Sequence, residues 1–559
     1  MDRLTALTPL RVSSAEQLRW DEQAELLVVG FGGAGACAAI EAASHGLSVL
    51  ALDRFDGGGA TALSGGVVYA GGGTPYQQRA GYQDSVEAMF NYLRQEVGDA
   101  VGETTLRDFC ERSREQLTWL ERQGVTFEAS VPPQKTSYPS DQYYLYYSGN
   151  EAVPAYAAHA APAPRGHRAK GPGMSGASLF APLRASALRQ GVRLRSQCEV
   201  RQLVLDDSDR VLGVEAWQLA PGSRAARRHA RLARWASAIH MYAPALAEQL
   251  RKRLRRIEQR HAVRTLIRAS KGVLLSCGGF IFNRALVKHH APQYLAGLPL
   301  GTTACDGSGI ALGQSAGGAL ARMDKISAWR FINPPLAWAR GMIVNGQGRR
   351  YCNEEVYGAT LGHAMVEEQN GRAILILNRT LVREALSQVG PGKVWQFQRV
   401  PVLLNLLFNV RRSKSLETLA KRYGLPSDSL RQSVAAYSCA ARGEMADPLG
   451  KSPAMLSSLE AGPWYALDLS YDSRLFPCPA ITLGGLRVNE RSGQVLDLHG
   501  APIAGLYSAG RSAVGIASNL YVSGLSLADC IYSGRRAAAH IAALTDPNSA
   551  TSGVQPCNV

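Results

Sequence analysis

A short apolar run, Glu25-Leu26-Leu27-Val28-Val29, ends on the loop Gly30-Phe31-Gly32-Gly33-Ala34-Gly35, and an alanine-rich stretch with helical spacing runs from Ala36 until Gly46 stops it. A buried strand that turns through glycines straight into a helix leaves few folds open, because it is the opening of a β-α-β unit. A second apolar run, Leu47 to Leu52, ends on Asp53, 23 positions after Gly30. The physical roles are complementary. Gly30, Gly32, Gly33, Ala34 and Gly35 allow backbone to approach a pyrophosphate, the helix N-terminus supplies N–H groups and positive potential, and Asp53 can accept ribose hydroxyls. Such a hexapeptide alone is common, and its strand, helix and acidic residue make it specific for a dinucleotide.

With 559 residues, 46% of them hydrophobic, the chain exceeds one domain. Its glycine clusters fill the first half, thin out after about Leu320 and return near Ile481. The expected fold class is therefore α/β. A discontinuous Rossmann-type domain carries an inserted α+β catalytic or cap domain. The boundaries read as a tail at 1–23, the first part of the nucleotide domain at 24–319, the cap at 320–461, the second part at 462–545 and a tail at 546–559. Helices are expected over 84–123, an aromatic loop over 138–147, strands at 193–200 and 203–214, and a buried strand from Gly272 towards Phe280.

The net charge of +16 is local: residues 224–271 hold fourteen basic residues against Glu248 and Glu258. They read as a basic helical insert with Trp235, Ile239, Met241, Tyr242, Leu246 and Leu250 available as an apolar face. A solvated hairpin and peripheral contact with anionic lipid both fit. Nucleic acid is not expected, because no recognition motif accompanies the charge. Ten cysteines without metal-like spacing predict a reduced, cytoplasmic setting. No signal peptide is expected at Met1-Asp2-Arg3-Leu4, and the longest apolar run, 400–410, is too short to span a bilayer.

Three separated segments resemble FAD proteins of the succinate dehydrogenase/fumarate reductase type. The first is the Gly30 loop, the second is Gly58-Gly59-Ala60-Thr61-Ala62-Leu63-Ser64-Gly65-Gly66, and the third is Ser508-Ala509-Gly510-Arg511 with Gly524-Leu525-Ser526-Leu527. The resemblance extends to Gly348-Arg349-Arg350-Tyr351-Cys352-Asn353-Glu354 in the cap. It implies FAD as the cofactor. Thr61, Ser64, Gly65, Gly66, Val200, Gly510, Arg511, Ser526 and Leu527 join the glycine loop and Asp53 as residues that hold it. Arg511 departs from the acidic residue usual at its place.

Fumarate reductases carry an Arg-Asp pair shortly after Asn-Glu, where this chain has Val356-Tyr357-Gly358, which argues against a small dianionic substrate. Tyr357 and Tyr521-Val522-Ser523-Gly524 resemble the 3-ketosteroid dehydrogenases of the same superfamily, and the aromatic stretch Tyr143 to Tyr147 is more similar to their 3-oxo-5-alpha-steroid 4-dehydrogenase branch. That resemblance implies bacterial steroid degradation, with Tyr521 polarising a ketone and Ser523 as base hydrogen-bonded to Tyr357. Tyr143, Tyr144, Tyr146 and Tyr147 are expected to be pocket wall, and an unidentified electron acceptor completes the cycle. Delta-1 dehydrogenation, an enone or enoate reductase, and a non-enzymatic flavin-bearing binding protein remain alternatives.

Overall fold

A computed structural model of the chain describes residues 7–544. The opening unit forms as β1 (Glu22–Val29), α1 (Gly33–Ser44) and β2 (Val49–Leu52), with β1 and β2 parallel and Leu26 opposite Val49. Leu26, Leu27 and Val28 are wholly buried, as expected of a parallel strand covered on both faces. The sheet continues through β3 (Arg193–Arg195), which is parallel to β2. Its other side is formed by β4 (Cys198–Leu205), β5 (Val211–Leu219) and the 14-residue β6 (Ala262–Leu275).

β6 joins the two ends of the chain. Its first half pairs antiparallel with β5, Ala262 opposite Leu219, and its second half pairs in parallel with β7 (Pro502–Ser508), Val273 opposite Leu506. Its other edge carries β1, Val273 opposite Leu27. The helical region expected over 84–123 forms three helices, Val86–Val97, Glu103–Glu111 and Ser113–Arg122.

Two expectations need correction. The strands read at 193–200 and 203–214 are three. Gln197, with φ 53°, breaks the first run, and Asp206 closes a turn by accepting from the N–H groups of Ser208 and Arg210. The basic helical insert ends earlier than 271. It is a hairpin of α2 (Arg224–Ile239) and α3 (Pro244–His261), after which residues 262–271 already belong to β6. The arginines hid a two-residue alternation there: Ile267 and Ala269 are buried while Arg268 between them reaches outward to Glu16 at 3.4 Å.

Leu232, Ala236, Leu250 and Leu254 form the hairpin's own small core. Its charged anchor is Glu258, which accepts two hydrogen bonds from Arg54 (3.0 and 2.9 Å) and lies 2.9 Å from His229 Nε2. Against the upward push of burial, the His229 hydrogen bond and the Arg54 charge hold the Glu258 carboxyl at about 2. A carboxylate held that low contributes stability above its unfolded value near 4.5 and loses it as pH falls towards 2. Glu258→Gln is therefore expected to destabilise the hairpin by on the order of 3 kcal/mol near pH 7. The difference in Tm from the parent should shrink as pH falls through 4. A difference that is the same at pH 3 and pH 7 would refute the anchor.

The second large core surrounds a four-stranded antiparallel sheet, in the order Met342–Val344, Ile374–Asn378, Trp464–Asp468, Arg411–Ser413. It draws in Phe280, Ile281 and Leu286 before residue 320 and Leu467, Leu469 and Ala480 after 461, so its packing reaches past both ends of the segment read as the cap. On this domain's surface lies α4 (Gln396–Leu404), continued by a wider turn over Asn405–Asn409. The chain returns to the nucleotide sheet through β7 and closes with α5 (Leu525–Ala543), packed along α1. Among the described residues no helix is long and apolar enough to cross a membrane.

Candidate active site

A cleft opens where the ends of β1, β2 and β6 meet. Gly30, Gly32, Gly33, Ala34, Asp53, Thr61, Val200, Gly510 and Arg511, all read from the sequence, line it. The turn is close-packed on one side and open on the other. Gly30 has φ +94°, and a Cβ there would stand 2.7 Å from the Ser276 carbonyl oxygen. A Cβ at Gly35 would stand 2.1 Å from the Gly30 oxygen, so α1 can follow so tight a turn only without a side chain there. A Cβ at Gly32 would meet nothing nearer than the Gly58 oxygen at 3.8 Å, and Gly32 lines the cleft.

These features fit a dinucleotide. No side chain caps α1 at Gly32, so its N-terminal positive potential is available to a pyrophosphate. The Gly33 N–H donates to Thr61 Oγ1 at 3.0 Å, which ties the second loop to the first. Asp53 accepts from the Phe31 and Phe55 N–H groups at 2.9 and 2.8 Å. Burial pushes its carboxyl up while those N–H groups pull it back. Each oxygen keeps a second lone pair for a ribose hydroxyl.

Gly35, Ser64, Gly65, Gly66, Ser526 and Leu527 do not line this cleft. Ser64 donates to the Thr61 oxygen at 2.7 Å and accepts from the Gly66 N–H at 3.1 Å. Gly65 lies under the Tyr138 ring, and Gly66 lies against the Ser175 carbonyl. Ser526 and Leu527 occupy the first turn of α5, which no side chain caps. Residues outside the motifs complete the lining, among them Glu199, Ser276, Cys277, Gly278, Thr302 and Cys305. Only the Gly278-Gly279 pair after β6 carried a sequence signal for this.

The second cluster lies between the cap and the nucleotide domain. Tyr521 packs at a tilt against Trp329 with ring centres 4.6 Å apart, and Tyr357 meets Phe331 edge-on at 5.3 Å. Ser523 lies 3.2 Å from the Tyr146 hydroxyl. Tyr146 therefore shares a hydrogen bond with the candidate base and is more than pocket wall. Tyr357 faces the same serine without standard hydrogen-bond geometry. Burial pushes its phenol well up, Tyr521 and Tyr146 add to that, and the Ser523 hydroxyl eases it. Burial likewise pushes Tyr521 up to about 12, with Arg511 pulling it down.

A buried amide sets the backbone of Tyr357. Its N–H donates to Asn150 Oδ1 at 2.6 Å, and Asn150 Nδ2 donates to Glu96 Oε1 and Thr360 Oγ1, both at 2.8 Å. Burial pushes Glu96 up to about 7 against the pull of Asn150 and Tyr92. Beside Tyr357 a further pocket is lined by apolar side chains such as Val153, Ile332 and Leu336 and by the charged residues Lys135, Glu354 and Glu355. The cluster of Tyr146, Tyr357, Tyr521 and Ser523 offers neutral hydroxyls beside the rings of Trp329 and Phe331, suited to polarising a ketone and moving one proton.

A family model described as the FAD binding domain matches residues 25–524. The chain is 42% identical over 507 residues to 3-oxo-5-alpha-steroid 4-dehydrogenase of Comamonas testosteroni, across 90% of this chain and 95% of that one. A crystal structure of 3-ketosteroid-delta4-(5alpha)-dehydrogenase from Rhodococcus jostii RHA1 in complex with 4-androstene-3,17-dione matches with a TM-score of 0.80 at 31% identity, across 96% of this chain and all (100%) of that one. The 3-oxosteroid 1-dehydrogenase of Mycobacterium tuberculosis is 26% identical over 578 residues, 93% of this chain and 98% of that one. The chain thus belongs to the FAD-binding family of the succinate dehydrogenase/fumarate reductase type, within its 3-ketosteroid dehydrogenases, and is similar over most of its length to a 3-oxo-5-alpha-steroid 4-dehydrogenase.

Proposed function

We propose that this protein introduces a 4,5 double bond into 3-oxo-5-alpha-steroids. The observation that carries the reading is Ser523, 3.2 Å from the Tyr146 hydroxyl, in a cluster of buried neutral phenols. The relative at 42% identity bears the name of this activity.

When bound, FAD supplies the hydride acceptor, its N5 atom. Tyr521 stays protonated far above neutrality and donates to the C3 carbonyl oxygen, which makes the protons on C4 acidic and holds the developing enolate. Ser523 takes the C4 proton as it passes its own to a neighbouring phenol, which releases its phenolic proton onward towards solvent, so that each hydroxyl ends the step neutral. A lone serine is a poor base, so the relay lets it act without a charged group in the pocket. Trp329 and Phe331 wall the site and keep water from the enolate. Asn150 holds the backbone of Tyr357 in place. Turnover then needs a two-electron acceptor outside this chain.

Anaerobic addition of a 5-alpha-reduced 3-ketosteroid is expected to bleach the flavin and yield the 4-ene-3-one. Bleaching by a 4-ene-3-one alone would replace this reading with delta-1 dehydrogenation.

Peripheral contact of the hairpin with anionic lipid belongs to the same reading. Trp235, Met241, Tyr242 and Leu246 are exposed around its turn, among arginines. Its share is the part of vesicle binding that salt removes.

A further inference from the structure

The helix of α4 and its continuation over Asn405–Asn409 buries Val402 and packs Leu403 and Leu406 against the core, yet carries a second apolar face outward. Two of its polar side chains also face inward: Asn405 is fully buried and donates to the Pro401 and Leu475 carbonyls, and Asn409 donates to the Asp468 carbonyl and to Asn405 Oδ1. Five large apolar side chains face outward. Phe397, Val400, Leu404, Leu407 and Phe408 are all exposed, Leu407 by 71% and Phe408 by 59%. Their spacing of three or four residues places them along one face. Leu475, 52% exposed, follows Arg474 in the loop that Asn405 holds. Among the described residues nothing covers this face, and a contiguous apolar surface of this kind marks an interaction site.

Charge identifies the occupant. From residue 385 to 416 there is no Asp or Glu, while Lys393, Arg399, Arg411, Arg412 and Lys414 are present. Arg411, Arg412 and Lys414 directly follow the apolar face, and among the described residues none of them makes a salt bridge. A symmetric contact with a second copy would oppose these cations to one another. An apolar helix face edged by free cations instead matches the interface of an anionic bilayer, where leucine and phenylalanine enter the acyl boundary and the cations meet phosphate.

We infer that the outward face of residues 396–409 docks the protein on an anionic lipid surface, with Leu407 and Phe408 inserted. The helix is tied to the wall of the reaction site: Trp395 Nε1 donates to the Pro139 carbonyl at 2.8 Å and Gln398 Nε2 to the Tyr138 carbonyl at 3.1 Å. Those residues lead directly into the segment that carries Tyr146. Docking there brings the lipid phase next to the substrate pocket, an advantage that rests on the steroid reading above.

Co-sedimentation of the holoenzyme with vesicles of phosphatidylethanolamine and phosphatidylglycerol tests this, with pure phosphatidylcholine as the comparison. The parent is expected to pellet with the anionic vesicles and to keep part of that binding at high salt. Leu407→Glu with Phe408→Glu should lower its partition at least about tenfold, because charge replaces the inserted apolar area. Leu407→Ser with Phe408→Ser should weaken it without adding charge. Flavin content, and turnover of a cyclodextrin-solubilised steroid, should stay at the parent level in both variants.

Equal sedimentation of parent and variants, or a parent that ignores anionic vesicles, overturns the inference. A concentration-dependent dimer that the variants abolish overturns it in favour of a second copy. Vesicle binding is read without substrate, so a steroid that fails to reduce the flavin counts against the proposed reaction and leaves the docking result standing.

Discussion

Alanine at Ser523 is expected to slow anaerobic flavin reduction by a 3-oxo-5-alpha-steroid by about 10²- to 10⁴-fold, the usual contribution of a positioned acid or base. The flavin should remain bound, because Ser523 does not line the dinucleotide cleft. Steroid affinity should change little, since the lost interaction is with the proton in flight and not with the carbon skeleton. Tyr521→Phe is expected to cost about 10²- to 10³-fold through loss of the donor to the enolate oxygen. Tyr357→Phe and Tyr146→Phe test the relay on either side of the serine. Near-parent rates in both Ser523→Ala and Tyr357→Phe would remove the proposed proton path. A loss in Tyr146→Phe larger than in Tyr357→Phe would agree with the 3.2 Å contact that Tyr146 makes.

Valine at two glycines of the first loop should separate folding from cofactor binding. Gly32 has φ −91° and ψ −156°, a backbone that suits a β-branched residue, and its nearest neighbour to a new Cβ is 3.8 Å away. Gly32→Val should fold, with an isopropyl group standing where the pyrophosphate lies. The expected result is a soluble protein without yellow colour whose FAD affinity is lower by at least about 100-fold, roughly 3 kcal/mol.

At Gly35 the obstacle is the protein itself. A Cβ 2.1 Å from the Gly30 oxygen, with Val28 and Ser276 also within 3.0 Å, cannot be relieved by a side-chain rotation. Gly35→Val should fail to fold or lose several degrees of Tm, with or without added FAD. A Gly32→Val protein that keeps its flavin at parent affinity would show that the loop approaches the cofactor less closely than its open side requires.

Much of this was legible because it is local. A glycine with positive φ, an apolar run and an acidic residue at a set distance act through neighbours in the chain, so the first strand, helix and strand formed within a few residues of their expected ends. Boundaries failed where a local signal was masked. The arginines of 262–271 concealed a strand, and its identity depended on pairing with β5 and β1. Ser64, Gly65 and Gly66 carry a motif whose chemical sense is close packing against Tyr138 and Ser175, which no spacing along the chain reveals.

The sequence by itself determined the dinucleotide loop, because it rests on steric and electrostatic needs that a short segment satisfies alone, whereas FAD and the residues proposed for the reaction site came from resemblance to known families. Only the tertiary structure decided which phenol shares a hydrogen bond with Ser523, since Tyr146 is 377 residues away and one of 21 tyrosines. It also decided that Asn150 holds the Tyr357 backbone across 207 residues. The outward face of residues 396–409 is of the same kind. Asn405 and Asn409 stand among leucines at helical spacing, and which of these side chains face the core depends on the carbonyls of Leu475 and Asp468 that the amides find there.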